Sequence, residues 1–234
     1  MPYTKVEWVY YTNIPNDWNE LMYRYFREPV NSITHILGAV LAFIGLIWLL
    51  VITYPDVDRI IISIVYSISV ILTFTASSVM HSYKGSNRII ELLVRLDHAA
   101  IYLMIAGTYT PIAYVFLDTV WFVGLMLAVW GMALGGVVWK LFFYERDTIW
   151  SLLYYLGMGW FSVILLPHIS PFVDLTGFLL IVAGGLMYTI GAVIFGIQRP
   201  NFNEWWGHHE IWHLFVLAGF AFHFFSVAYY MLTY

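Results

Sequence analysis

The sequence predicts an all-α integral membrane protein, a bundle of seven transmembrane helices with its N-terminus in the cytoplasm and its C-terminus outside. Hydrophobic residues make up 62% of the 234 residues and charged residues only 10%, whereas a soluble domain carries roughly 25% charged residues. Seven apolar stretches approach the roughly 20 residues that a helix needs to cross the hydrocarbon core. Positive residues lie almost entirely on one side of these stretches, which predicts the orientation.

The seven predicted spans follow one another with only short polar connections between them. They are 33–54, 60–81, 97–116, 120–143, 150–167, 175–197 and 209–232. The fifth is the shortest, and Pro167 at its end is typical of a helix stop. We therefore divide the chain into a cytoplasmic N-terminal segment, residues 1–30, and one seven-helix transmembrane domain, residues 31–234.

The positive residues indicate which side of the membrane is cytoplasmic, because Lys and Arg concentrate in cytoplasmic loops. Only Arg59 lies on the outer side. The nine on the inner side are Lys5, Arg24, Arg27, Lys84, Arg88, Arg95, Lys140, Arg146 and Arg199. Lys140 lies just within its span and is expected to extend to the cytoplasmic interface. The sequence thus predicts a multi-pass protein of the plasma membrane.

Composition also excludes some kinds of chemistry. The chain has no cysteine, so disulfides, thiolate metal sites and cysteine nucleophiles are ruled out. The net charge of −4 identifies no partner, because most of the surface meets lipid. We expect a membrane lipid as substrate or ligand, and no nucleic acid.

The strongest candidate site is a set of potential metal ligands at one end of the predicted bundle. His209 and His213 are four residues apart at the start of the last span, so both imidazoles lie on one helix face. His81 ends the second span and Asp97 begins the third. With the N-terminus inside, all these helix ends lie at the cytoplasmic face. Ionisable groups within membrane spans are costly and usually functional.

Three imidazoles and a water in the fourth position form the pattern of a catalytic zinc site. Zinc lowers the pKa of such a water to about 7. Asp97 would bind the ion directly or hold the water, and Ser77, one turn before His81, could donate a hydrogen bond. His98 points roughly 100° away from Asp97 around the helix, so it is expected to support the site. The structural alternative is that these groups only cross-link helices by hydrogen bonds.

A second polar cluster begins the first span. Glu28 lies in the turn before it, and Asn31 and His35 are four residues apart on one face. Such residues commonly initiate a helix. They can equally orient metal ligands through the free nitrogens of the ligand rings, and both roles are compatible.

His209-Glu210-Ile211-Trp212-His213 also matches the His-Glu-x-x-His signature of zinc proteases. In that interpretation Glu210 is the general base and Asp97 the third ligand. This hypothesis gives no role to His81, Ser77 or the cluster that begins the first span.

Four motifs in order resemble those of the progestin and adipoQ receptor family, in its bacterial hemolysin III branch. They are Glu28-Pro29-x-Asn31-x-x-Thr34-His35, Ser77-x-x-x-His81, Leu96-Asp97-His98 and His209-x-x-x-His213. The resemblance covers the chain from residue 28 onward. It implies seven spans, a zinc ion held by His81, His209 and His213, a bound water positioned by Asp97, and location in the bacterial inner membrane. It also implies kinship with ceramidases that hydrolyse lipid amides.

Three functions are consistent with these features besides proteolysis. The first is a zinc-dependent hydrolase of a lipid amide or ester, in which Asp97 activates the water and Ser77 assists the oxyanion. The second is a lipid receptor or regulator without enzymatic activity, in which zinc ties helices together. The third is a pore, although no continuous polar stripe crosses the predicted helices.

Overall fold

The computed structural model describes residues 18–143, 149–165, 174–203 and 205–233. Within these ranges the chain forms eight α-helices, one 3-10 helix and no strand. The α-helices are α1 (Trp18–Tyr25), α2 (Pro29–Thr53), α3 (Val57–Ser82), α4 (Asn87–Phe116), α5 (Thr119–Phe142), α6 (Ile149–Trp160), α7 (Leu175–Ile197) and α8 (His208–Thr233). The 3-10 helix, Phe161–Leu165, continues α6.

The all-α membrane class is confirmed. Among the described helices, α2, α3, α5, α7 and α8 are each long and apolar enough to cross a membrane. The outward surface is also apolar, as in Val120 with 82% and Leu127 with 73% of the residue exposed. An apolar surface of this extent requires lipid around it. The count of seven spans stays a prediction, because α4 carries several charged residues and α6 has only 12 residues. The orientation in the membrane also stays a prediction.

Helix α4 begins ten residues earlier than the predicted span 97–116. Its first turns carry Arg88, Glu91 and Arg95, which lower the local hydropathy but are good helix formers. Thirty residues make a helix of about 45 Å, longer than the hydrocarbon core of about 30 Å. The charged turns can therefore project beyond the apolar layer while Asp97 lies at its edge.

The fifth predicted span, 150–167, is not α-helical throughout. Helix α6 ends at Trp160 and continues as the 3-10 helix, after Gly157 and Gly159, whose helix propensity is low. The predicted stop at Pro167 lies outside the described residues, as do Lys5 and Arg146 among the positive residues predicted to be cytoplasmic. The described part of the segment 1–30 contains α1, which hydropathy alone does not predict.

The bundle is arranged so that the last helix packs on α2 and α4 as well as on its neighbour in sequence. Sequential helices pack as α2 on α3, α3 on α4, α4 on α5 and α7 on α8, while α8 also packs on α2 and α4. The core between α2, α3 and α8 contains Leu49, Phe74 and Phe220, each buried. Phe74 and Phe220 meet edge-on with ring centroids 5.4 Å apart. This packing brings the end of α3 and the start of α8 to the start of α2.

The expected extension of Lys140 to the interface is wrong. Its side chain is fully buried, because it continues the buried face of α5 formed by Val129, Ala133 and Gly136. These positions recur at three- and four-residue spacing, which places them on one side of a helix.

Candidate metal centre

Three histidine rings converge where α3 ends and α8 begins. The ring centroid of His81 lies 5.0 Å from that of His209 and 4.8 Å from that of His213. The ring centroids of His209 and His213 are 5.0 Å apart. The rings are nearly perpendicular to one another, at 73° to 74°. One nitrogen from each ring lies within 4.8 Å of the other two. The rings thus form a nearly equilateral triangle whose nitrogens face a common point.

The two helices contribute to this triangle in different ways. His209 and His213 are adjacent because α8 places residues four apart one turn from each other. His81 comes from the last turn of α3, so only the packing of the bundle brings it to the pair. His81 is 1% exposed and His213 is 2% exposed, whereas His209 is half-buried. The triangle therefore closes inward and is more open on the His209 side.

Glu28 holds His81 in place from the start of α2. The His81 Nδ1–H donates a hydrogen bond of 2.5 Å to Glu28 Oε2, and the Glu28 backbone N–H donates to the His81 carbonyl at 3.0 Å. A carboxylate that accepts from Nδ1 leaves the Nε2 lone pair free and fixes the ring orientation, as is common behind histidine metal ligands.

The Glu28 carboxyl is ionised at neutral pH. Burial raises its pKa, but the hydrogen bond from His81 and the electrostatic attraction of His81, Arg27 and His209 outweigh burial and set the pKa at about 2. The Arg27 guanidinium lies 3.1 Å from Glu28 Oε1, so the two carboxylate oxygens have different partners. Ionised Glu28 can therefore accept the His81 N–H without leaving its position.

A second link joins α2 to α8. The Asn31 amide N–H donates to Glu210 Oε1 at 2.8 Å and lies 3.4 Å from Glu28 Oε2. The Gly207 backbone N–H donates to Glu210 Oε2 at 2.8 Å, which satisfies a free backbone donor where α8 begins. The bond to Oε1 thus holds α8 against α2, and the bond to Oε2 stabilises the start of α8 itself. This arrangement suits a positioning role better than that of a protease base.

His35 meets the triangle through its ring face. The His35 and His213 rings stack with centroids 3.6 Å apart and planes 10° apart, and the Phe74 ring meets His35 edge-on at 5.1 Å. The neighbouring Thr34 Oγ1 lies 3.4 Å from His213 Nδ1. Helix α2 therefore contributes to the surroundings of both His81 and His213.

The remaining predicted residues lie on α3 and α4. Ser77 is buried, with 2% exposed, one turn before His81, and Asp97 is 8% exposed. The Asp97 carboxylate does not belong to the group of potential ligand atoms within 4.8 Å of one another, which among the described residues contains the three histidines alone. His98 is half-buried, and its backbone carbonyl accepts a hydrogen bond from the Tyr155 hydroxyl at 3.0 Å.

Three contacts near the site were not expected from the sequence. Arg27 Nη2 donates to Met80 Sδ at 3.1 Å, beside His81. Lys84 Nζ donates to the Tyr23 carbonyl and, at 3.3 Å, to that of Arg24, so the connection after His81 holds the end of α1. The run of charged residues before Pro29 was the available signal for these contacts, but spacing along the chain does not reveal partners on another helix.

The donor set fits a divalent metal with a preference for imidazole. His81 Nε2 is buried and has no hydrogen-bond partner among the described residues, which is costly in an apolar surrounding. A tetrahedral zinc site with Zn–N of about 2.1 Å requires nitrogens about 3.4 Å apart, so small side-chain rotations suffice from a maximum of 4.8 Å. Three nitrogen ligands and no thiolate suit zinc, although copper, iron and nickel also accept imidazole.

Comparison with known proteins supports the relationship that the motifs indicate. The family model "Haemolysin-III related" matches residues 23–224. Hemolysin-3 of Bacillus cereus is 36% identical over 208 residues, covering 88% of this chain and 92% of that protein. The Hemolysin-3 homolog of Bacillus subtilis (strain 168) is 35% identical over 213 residues, covering 89% and 96%.

A more distant similarity extends to animals. The human monocyte to macrophage differentiation factor is 26% identical over 212 residues, covering 86% of this chain and 83% of that protein. The region that the family model matches, residues 23–224, includes the start of α2 and the entire histidine triangle. This chain therefore belongs to the haemolysin-III related family, the bacterial hemolysin III branch of the progestin and adipoQ receptor family.

Proposed function

We propose that this chain is a zinc-dependent hydrolase of the bacterial inner membrane that cleaves a lipid amide or ester. The observation that carries the proposal is the triangle of three imidazole nitrogens within 4.8 Å, with one of the rings held by a half-buried carboxylate. Three nitrogen ligands leave a fourth position for a water, as in catalytic zinc sites. Purely structural zinc sites are usually closed by four protein ligands.

The residues divide into those that hold the ion and those that serve the reaction. His81, His209 and His213 are the ligands, and zinc at this position lowers the pKa of a bound water and polarises a carbonyl. Asp97, at the entry of α4 into the apolar layer, accepts the proton released when the carbonyl is attacked and passes it to the leaving amine or alcohol. Ser77 donates a hydrogen bond to the oxygen that becomes negative.

Glu28, Asn31, His35 and His98 support these groups. Glu28 keeps the His81 ring oriented, and Asn31 holds α8 in register with α2 through Glu210. Both contacts fix helix ends to each other, which keeps the ligands in place as the substrate enters. The Glu28 contact reaches a ligand directly, and contacts of that kind commonly affect metal affinity by 10–100-fold.

A lipid substrate follows from the position of the site. The triangle lies at the ends of helices whose outer faces are apolar, so an acyl chain can remain in the hydrocarbon layer while its polar linkage reaches the histidines. A soluble substrate would gain nothing from such a position. The amide or ester linkage is the part of a membrane lipid found at this depth.

Two measurements on purified protein in detergent or nanodiscs test the proposal. The first is zinc per chain, with His81→Ala as the test variant and His208→Ala as its matched control. His208 bonds to Asn201 at 2.8 Å and is not part of the triangle. We expect about one zinc in the native protein and in the control, and loss in His81→Ala. Absence of zinc from the native protein after zinc is supplied would refute the proposal.

The second measurement is release of fatty acid from a panel of ceramides, acyl amides and phospholipids. Turnover should require zinc and should fall at least 100-fold in Asp97→Asn, in line with the usual contribution of general acid–base groups. Zinc binding without turnover of any lipid in the panel would overturn the hydrolase assignment.

A non-enzymatic lipid receptor or regulator is the second candidate. It is favoured by the number of contacts that join helices at this site, since Glu28, Asn31 and the histidines connect α2, α3 and α8. In this function zinc would act as a structural tie. Removal of zinc would then unfold the bundle, and no catalytic defect would accompany the Asp97→Asn change.

A further inference from the structure

His35 carries two polar atoms that the described structure leaves without partners. Only 4% of the residue is exposed, and neither Nδ1 nor Nε2 makes a hydrogen bond with the described residues. A neutral imidazole offers one N–H donor and one acceptor nitrogen. Leaving both unmet inside a membrane helix costs free energy, so a histidine kept only for packing would be poorly suited to this position.

The position of the His35 ring excludes a role as a fourth metal ligand. His35 is not one of the three histidines whose nitrogens lie within 4.8 Å of one another, so it is no convergent fourth ligand. Its ring face is covered by His213 at 3.6 Å and its environment is closed by Phe74 at 5.1 Å. The ring is therefore held by contacts that leave the nitrogens, at its edge, directed elsewhere.

The adjacent metal ligand differs from His35 in this respect. His213 Nδ1 has a neighbouring hydroxyl, Thr34 Oγ1, at 3.4 Å, and His213 supplies one nitrogen to the triangle. Because the two rings are stacked and nearly parallel, the edge of His35 runs alongside that of His213. A molecule bound between the three histidines, next to His213, would thus come within reach of the His35 edge.

We propose that His35 hydrogen-bonds, through a ring N–H, to an oxygen of the molecule that occupies the open position beside His81, His209 and His213. The ligand class is a small oxygen donor, such as a carboxylate, a hydroxamate or the carbonyl of an amide or ester. His35 is then a ligand-contacting residue that selects oxygen groups, in addition to the three that hold the metal. This inference rests on the proposed metal site.

The experiment uses the full chain loaded with Co²⁺, whose visible absorption reports changes in its ligands. Acetohydroxamate is the probe and is titrated into native protein, His35→Phe and the control His208→Phe. Phenylalanine keeps a flat ring against His213 but removes both nitrogens. We expect acetohydroxamate to bind at least tenfold more weakly to His35→Phe than to the native protein, with an unchanged cobalt content and an unchanged control.

A second pair of variants covers the case in which His35→Phe fails to fold. His35→Gln retains an N–H donor and His35→Leu has none, so Gln should bind acetohydroxamate more tightly than Leu. Equal affinities in native protein and His35→Phe, or in the Gln and Leu variants, would overturn the role of His35 while leaving the metal site intact. A native protein that binds cobalt but shows no response to acetohydroxamate would also overturn it. Absence of cobalt from the native protein would instead refute the metal site, and His35 with it.

Discussion

His81 Nδ1 lies 2.5 Å from Glu28 Oε2, so the residue that ends α3 is bound to the residue that precedes α2. The two are 53 positions apart in sequence. A second bond, from the Glu28 backbone N–H to the His81 carbonyl, makes this a two-point attachment. The relationship explains how a single carboxylate can control the orientation of a candidate metal ligand on a different helix.

We expect Glu28→Gln to weaken zinc binding by 10–100-fold, the usual effect of losing a carboxylate behind a histidine ligand. Glutamine keeps the size of the side chain but lacks the charge that favours the Nδ1–H tautomer. Competition against a fluorescent zinc chelator measures the change. Glu91→Gln, an exposed acidic residue on α4, is the control and should leave affinity unaltered. Equal zinc affinity in Glu28→Gln and native protein would show that the contact does not tune the metal.

We expect Glu210→Ala to retain zinc and to lose stability. The variant removes the bonds from Asn31 and Gly207, and a hydrogen bond to a charged group contributes about 1.5–3 kcal/mol. Zinc content and the denaturation midpoint in detergent are the two measurements. The protease hypothesis requires Glu210 for catalysis, so lipid turnover that continues in Glu210→Gln would separate the two mechanisms. Loss of zinc in Glu210→Ala would contradict the purely structural role assigned to this side chain.

The contribution of Glu28 to stability should disappear in acid. Its pKa is about 2 in the folded protein against an ordinary value of 4.5, so the folded state holds fewer protons than the unfolded state between these values. Stability from Glu28 is therefore complete above about pH 4.5 and lost as the pH falls towards 2. Thermal unfolding of metal-free protein across this range measures it. The difference in unfolding midpoint between native protein and Glu28→Gln should shrink on acidification. A constant difference would contradict the lowered pKa of Glu28.

We expect Gly107→Leu to destabilise the bundle where α4 packs closely on α3. A Cβ at Gly107 would overlap Ser69 Oγ, and forced overpacking costs about 1–3 kcal/mol. Gly131→Leu is the matched control, because a Cβ there meets nothing within 4 Å and faces the lipid. The measurement is the thermal unfolding midpoint of both variants in the same detergent. Equal midpoints would mean that α3 and α4 separate easily at this contact.

Hydropathy and spacing in the sequence determined the membrane class, the helical segments and the pairing of His209 with His213. These depend on local properties, because a helix must satisfy its own backbone in lipid and a four-residue spacing repeats the same face. The motif from Glu28 to His35 also indicated a functional start of α2. The extent of α4 was underestimated, since its charged turns lie beyond the apolar window that hydropathy detects.

The tertiary structure decided which helix ends meet. His81 joins the pair on α8, Glu28 supports His81, Asn31 holds Glu210, and His35 stacks on His213. None of these contacts follows from spacing, because each joins residues on different helices, and helix packing depends on the shapes of entire faces rather than on single positions. Lys140 shows the same limit, since its burial is set by how α5 packs. Local chemistry in the chain thus determined the candidate ligands, and packing decided which of them share a site.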